Sequence, residues 1–197
     1  MKMFNKWDTS DIKVSDPGLA RYISLKEVII PRSAGRHAKQ QFYKSQISIV
    51  ERLINHLYCP GHRGKKHLIT SGQCSGKTLG AYKIVKKAFE IIESRTKKNP
   101  IEVFVRAIEN AALREEITSF QVGGIIVRKA VVCSPQRRID VALRHIVQSA
   151  YQSSFGKPKD MPQALADEII GAYNYDSTAS YAIREKERIE REAAGAR

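Results

Sequence analysis

Nearly every apolar run in this chain repeats at helical spacing, and one does not. FQVGGIIVRKAVVC, ending at Cys133, is rich in β-branched residues, is bounded by polar ones and carries Gly123-Gly124 inside it. That pattern predicts a β-hairpin or ribbon over about residues 119–133, with its turn near or just after the glycine pair. Two strands alone cannot bury both of their faces. The segment must therefore project from a body built of something else, or lie on a partner. It contains Arg128 and Lys129 and no acid, so an anionic surface is a suitable place for it.

The rest of the chain supplies the body. Ile47, Val50, Ile54 and Leu57 form one stripe of a helix over about 45–57. A second helix over about 77–94 buries Ala81, Ile84, Val85, Ala88 and Ile92, leaving Lys83, Lys86 and Lys87 outside. Asn99 is a good N-cap, with Pro100 at the first helical position and Glu102 at the third, so a third helix starts there. Val103, Ile108 and Ala111 continue it inward. Ser134-Pro135 starts a fourth helix to about Gln152, with Ile139, Leu143, Ile146, Val147 and Ala150 on its core side. A fifth spans about 161–173. The last, about 178–194, alternates charge in REKERIERE and has few large apolar residues, so it is expected to be largely exposed. The expected fold class is mainly α: a bundle of about six helices with one projecting two-stranded β-ribbon. Residues 1–44 lack sustained periodicity and carry Pro17, Gly18, Pro31 and Gly35, which predicts an N-terminal extended basic arm before a helical domain at 45–197.

Charge narrows the partner. The chain has 34 Lys and Arg against 20 Asp and Glu, a formal net charge of +14. Between Val28 and Phe89 the only acid is Glu51, against twelve Lys and Arg. Arg32, Arg36, Lys39, Lys65, Lys66, Lys77 and Lys83 fall in this span and are candidate phosphate-binding residues. An acid gap of this length points to nucleic acid before a membrane surface. No stretch approaches the roughly 20 apolar residues of a membrane span. The N-terminus MKMFNKWDTSDIKVSD carries no apolar signal-peptide core, and three cysteines without a framework spacing suit a reducing compartment. The expected location is the cytoplasm.

Chemistry finds little footing. SGQCSGKT at 71–78 ends as a phosphate-binding loop should, but the required first glycine is Ser71. No apolar strand of useful length leads into it, and a flexible basic loop is the better reading. Cys59, His62, His67 and Cys74 lack the paired spacing of a zinc knuckle. No serine stands in a nucleophile elbow, and His145 beside Arg144 reads as structural or RNA-facing. No catalytic residue, metal or cofactor is expected.

Three stretches carry a family resemblance: NPIEVFVRAIENAALREE, VGGIIVRKAVVCSPQRRIDVALRHIV and the C-terminal STASYAIREKERIEREAAGAR. The second is the most specific, since it joins the Gly-Gly ribbon, the Ser-Pro cap and the Arg-Arg pair in one order. Together they resemble the universal small-subunit ribosomal protein seven family in its archaeal and eukaryotic form, whose eukaryotic member is called small-subunit protein five. The likeness runs from about residue 40 to the end. Leu113 stands where members often carry proline, and the tract from Gly61 to Lys77 is longer than the family suggests.

The resemblance implies a six-helix core with a β-ribbon and primary binding to 16S rRNA, nucleating the head in the 3′ major domain. It also implies a place near the exit-site tRNA and the mRNA exit, with small-subunit protein eleven as a neighbour. The matching RNA-contact positions are Lys65, Lys66 and Lys77, Arg137 and Arg138 on the fourth helix, and Arg128 and Lys129 beside Gly123 and Gly124 on the ribbon. The competing class is a basic helical DNA-binding regulator. Its compact helix-turn-helix unit and dimer surface fit poorly with charge spread over an arm, a loop and a ribbon.

Overall fold

Helix starts follow the capping residues. In the computed structural model, which describes residues 2–63, 66–67 and 76–196, the helices are α1 (Pro17–Ala20), α2 (Ile49–His56), α3 (Thr78–Thr96), α4 (Pro100–Ala111), α5 (Pro135–Ser154), α6 (Met161–Tyr173) and α7 (Tyr181–Ala194). Ser48 caps α2 by accepting from the Val50 N–H at 3.3 Å. Asn99 caps α4 by accepting from the Ile101 N–H at 3.1 Å, with Pro100 at the first position as expected. Two 3-10 turns, Arg36–Lys39 and Tyr43–Ser45, precede α2. A short pair, β1 (His62–Arg63) and β2 (Lys66–His67), follows it.

α6 packs against α3, α4 and α5, and α2 against α3 and α5. Their buried faces form one core that includes Leu53, Phe89, Phe104, Ile108, Leu143 and Leu165. The arm expected over residues 1–44 departs from that reading at its start. Met3, Phe4, Trp7, Leu19 and Ile23 are buried in the same core. Phe4 and Trp7 meet edge to face with centroids 5.7 Å apart, and Trp7 meets Phe89 at 5.9 Å. The Trp7 indole N–H donates to Glu93 at 3.1 Å. The aromatic residues are spaced too irregularly for a periodic pattern to show them as core.

The ribbon is β3 (Glu115–Val122) paired antiparallel with β4 (Ile125–Val132). Its turn is the glycine pair itself: Val122 faces Ile125, and Gly123 and Gly124 have φ of 56° and 88°. Two positive φ values define a type I′ turn, which glycine adopts without steric cost. The ribbon starts four residues earlier than the expected 119 and includes Glu115 and Glu116, so it is not free of acid. Charged residues at a strand's root interrupt the alternation on which the sequence reading depends.

The last helix is less exposed than expected. Ala182, Ile183, Lys186 and Ala193 are buried, and α7 packs against β3 and α5. Ser180 and the N–H groups of Tyr181 and Ala182 donate to buried Glu168 of α6, at 2.7, 3.3 and 2.9 Å. At its other end α7 grips the ribbon root. Glu190 accepts from the Arg114 N–H at 2.9 Å. Ile189 covers the small apolar cluster of Leu113, Cys133 and Val141. Leu113, the position where proline was expected, is thus a core residue.

Candidate nucleic-acid interface

The acid gap becomes a surface because its single acid turns inward. Glu51 of α2 is buried and accepts from the backbone N–H and hydroxyl of Ser33, at 2.7 and 2.5 Å. The Ser33 hydroxyl also meets His37 Nδ1 at 3.1 Å. These bonds lay the 33–37 stretch along α2. Arg32, Arg36 and Lys39 are exposed there.

Behind them lies a cavity of about 270 Å³ whose lining includes His37, Lys44, Arg52, His56, Asp140 and Arg144. Arg52, only 4% exposed, donates to Asp140 at 2.9 Å and to the Tyr22 carbonyl at 3.1 Å. Lys44 pairs with the other Asp140 oxygen. Burial alone would raise the Asp140 pKa, but the hydrogen bonds from Lys44 and Arg52 outweigh it and hold the carboxyl below its ordinary value. Burial pushes His56 down to about 4, against the attraction of Asp140 and reinforced by nearby Arg52 and Arg144. His56 is therefore neutral at physiological pH. Among the described residues the cavity keeps a positive balance, since one carboxylate, Asp140, faces Lys44, Arg52 and Arg144.

Arg137 and Arg138 divide their roles. Arg137 is exposed and grips Glu116 of β3 with two nitrogens, one at 2.7 Å. The bond from Arg137 holds the Glu116 carboxyl low. Arg138 is half-buried and donates to the Leu113 carbonyl at 2.8 Å and to Asp16 at 2.8 Å. It ties the N-terminal segment to the ribbon root. Both side chains thus serve the fold, and Arg137 is the more accessible.

Lys77 is exposed just before α3, and Lys83 is exposed on it. Lys66 lies in β2, while Lys65 and Ser71–Ser75 of the glycine-rich loop fall outside the described residues. Cys74 does too, so the set Cys59, His62, His67 and Cys74 lies partly outside the described residues. Among the described residues no group of three or more His, Cys, Asp or Glu could hold a metal. No helix among them is long and apolar enough to cross a membrane. Arg128 and Lys129 are both exposed on β4 and, as neighbours in a strand, point to opposite faces of the ribbon.

Two basic regions result. One joins the 32–46 stretch, α2 and α5; the other is the outer part of the ribbon, beyond Glu115 and Glu116. Lys44 and Arg144 belong to the first and were not among the candidates. Lys44 is one cation among many in the acid gap, and Arg144 is four residues from Asp140 on α5, so only the fold marks them.

A helical body with a basic flank and a projecting two-stranded ribbon is the class of fold that the described residues define. The comparisons are specific. The family model described as ribosomal protein S7p/S5e matches residues 19–197, and the chain belongs to that family. It is 54% identical over 197 residues to the small ribosomal subunit protein uS7 of Nanoarchaeum equitans, covering 100% of this chain and 99% of the relative. It is 48% identical to the protein of the same name in Methanothrix thermoacetophila, over 100% of both chains. Against that of Methanothermobacter thermautotrophicus the identity is 46%, over 98% of each.

Proposed function

We propose that this chain is a structural constituent of the small ribosomal subunit, acting by binding and not by catalysis. It binds 16S rRNA and nucleates the head in the 3′ major domain. The full-length likeness to archaeal relatives of that name carries this reading. The exposed cations of the 32–39 stretch, Lys77, Lys83 and Arg137 are the phosphate contacts. Lys65 and Lys66, within the Gly61–Lys77 tract, belong to the same set. Residues 26–44 are the part of the N-terminal arm available to rRNA. The ribbon, with Arg128, Lys129 and the Gly123-Gly124 tip, extends toward the exit-site tRNA and the mRNA exit, and small-subunit protein eleven is a neighbour of the chain. The protein works in the cytoplasm, within the ribosome.

The test is binding of the full chain to a 16S 3′ major domain transcript over a salt series. Neutralising six to ten phosphates lowers affinity by roughly 10³–10⁵ between 50 and 200 mM salt. Equal affinity for an unrelated RNA of the same length, or a flat salt response, would overturn the reading. Arg137→Ala weakens binding and reduces the salt slope. Arg138→Ala acts first on stability, because Asp16 loses its ion-pair partner and the Leu113 carbonyl loses a donor.

A further inference from the structure

A second cavity, of about 530 Å³, lies between the 40s loop and the start of α5. Its lining includes Arg21, Tyr22, Phe42, Tyr43, Ser45 and Gln136. The volume falls within the range of about 300–1,000 Å³ common for small-ligand pockets. Among the described residues no acid lines it, and Arg21 supplies a cation. Only 8% of this chain is aromatic, yet Tyr22, Phe42 and Tyr43 all line this cavity. Phe42 is 63% exposed and Tyr43 38%. Phe42 also sits at φ 67°, a left-handed conformation that a bulky side chain rarely adopts. Its ring is held out rather than folded into the core.

The polar atoms point the same way. Gln136 is 7% exposed, and its amide oxygen and the Ser45 hydroxyl are buried with no hydrogen-bond partner among the described residues. Buried polar atoms normally have partners, and each exception calls for one. Rotating the amide offers a ligand either an acceptor or two donors. Gln136 stands in the first turn of α5, a helix of 20 residues whose N-cap, Ser134, makes no side-chain capping bond. The free N–H groups of that turn favour an anion.

We propose that this cavity receives one unpaired, extruded RNA nucleotide. The base stacks on Phe42 and Tyr43, and Gln136 and Ser45 bond its edge. Its phosphate lies at the α5 N-terminus beside Arg21. A stacked base in a duplex cannot enter such a pocket, whereas single-stranded loops and bulges present theirs. The inference rests on the rRNA-binding reading above and adds a base-reading subsite to a surface otherwise made of phosphate contacts.

Binding of wild type, Phe42→Ala and Gln136→Leu to the 3′ major domain transcript tests it. Loss of one base stack lowers affinity by roughly five- to 150-fold. The salt slope stays unchanged, because neither substitution removes a charge. Phe42 is exposed, so Phe42→Ala keeps its helical circular dichroism. Ultraviolet cross-linking of the wild-type complex should join Phe42 or Tyr43 to one unpaired nucleotide. Making that nucleotide abasic should then weaken wild type by the same factor, with no further loss in Phe42→Ala. Wild-type binding matched by Phe42→Ala, or cross-links confined to duplex RNA, overturns the subsite alone. Failure of wild type to bind the transcript overturns the rRNA reading with it.

Discussion

α4 and β4 are both apolar runs, yet their side chains meet opposite surroundings. Ile101, Val103, Phe104, Val105, Ala107 and Ile108 of α4 are all buried. Ile125 and Ile126 at the start of β4 are 71% and 69% exposed. Composition does not separate these segments; neighbours do. α4 packs against α3, α5, α6 and α7, so its stripe is covered by this chain. β4 pairs with β3, and only the root of the ribbon reaches α7 and α5. The body is thus stable by its own packing, while the outer ribbon gains little beyond its ladder of hydrogen bonds. Substitutions should act accordingly: large effects on folding in the body, small ones in the ribbon.

Trp7→Ala gives the strongest test of where the body ends. Trp7 lies in the segment expected to be a loose arm, yet it packs on Phe89 and bonds Glu93. Emptying a buried aromatic site costs about 3–5 kcal/mol. Chemical denaturation of the free protein measures it. A change below about 0.5 kcal/mol, the range of surface substitutions, would return residues 1–25 to the arm.

Asp140→Ala probes the body's charged interior. Removing the carboxylate strands Arg52, which is 4% exposed and among the described residues keeps the Tyr22 carbonyl. Breaking a buried pair from one side costs about 3–5 kcal/mol. Asp140 is itself partly exposed, so the lower end applies. If the loss is small, water reaches Arg52 and the α2–α5 junction is softer than the rest of the body.

The boundary between legible and illegible falls along the same physical line. Helices α3 to α6, with caps such as Asn99-Pro100, were readable because period and capping are local properties. The ribbon was readable from β-branching around a glycine pair. Its root was not, because Glu115 and Glu116 look like solvent residues until Arg137 of α5 pairs with Glu116. The N-terminal core residues were hidden for a related reason: Met3, Phe4, Trp7, Leu19 and Ile23 are irregularly spaced, and Phe4 and Trp7 pack on Phe89 of α3. Among the site candidates, exposure of Arg32, Arg36, Lys39, Lys77 and Lys83 followed from the acid gap. The internal ion pair of Arg138 did not, since its partner Asp16 is distant in sequence. Phe42 and Gln136 carry no sequence signal, for a lone aromatic in a loop and a lone amide in a first turn are both ordinary.

Acid titration separates the body by a different route. His56 has a folded pKa of about 4 against an ordinary 6.5, so the unfolded chain binds its proton first. The associated stability is fully present above pH 6.5 and is lost as pH falls toward 4, by at most about 3 kcal/mol. His56→Phe should flatten the stability profile across that window relative to wild type. Losses below pH 4 persist in both proteins, because Asp140 is held low by its partners and still protonates there. Parallel profiles across the window would mean that His56 titrates normally in the folded state.

Deleting the ribbon tip, residues 122–125, should have the smallest effect on folding. The deleted residues are exposed, and the anchors of the ribbon lie at its other end. Glu190 holds the Arg114 N–H, Arg137 holds Glu116, and the Cys133 N–H donates to the Arg114 carbonyl at 2.9 Å. None is touched by the deletion. The free-protein stability should therefore change by less than about 1 kcal/mol, with α7 still docked, since an exposed two-stranded end contributes little by itself. Affinity for the 3′ major domain transcript should also hold, while exit-site tRNA occupancy on reconstituted subunits should fall. The readouts separate three cases. A collapse of rRNA affinity in a folded deletion would make the tip an rRNA anchor. A loss of stability like that of Trp7→Ala would mean the ribbon belongs to the body. Unchanged tRNA occupancy would leave the tip outside the exit site and detach the ribbon from that role.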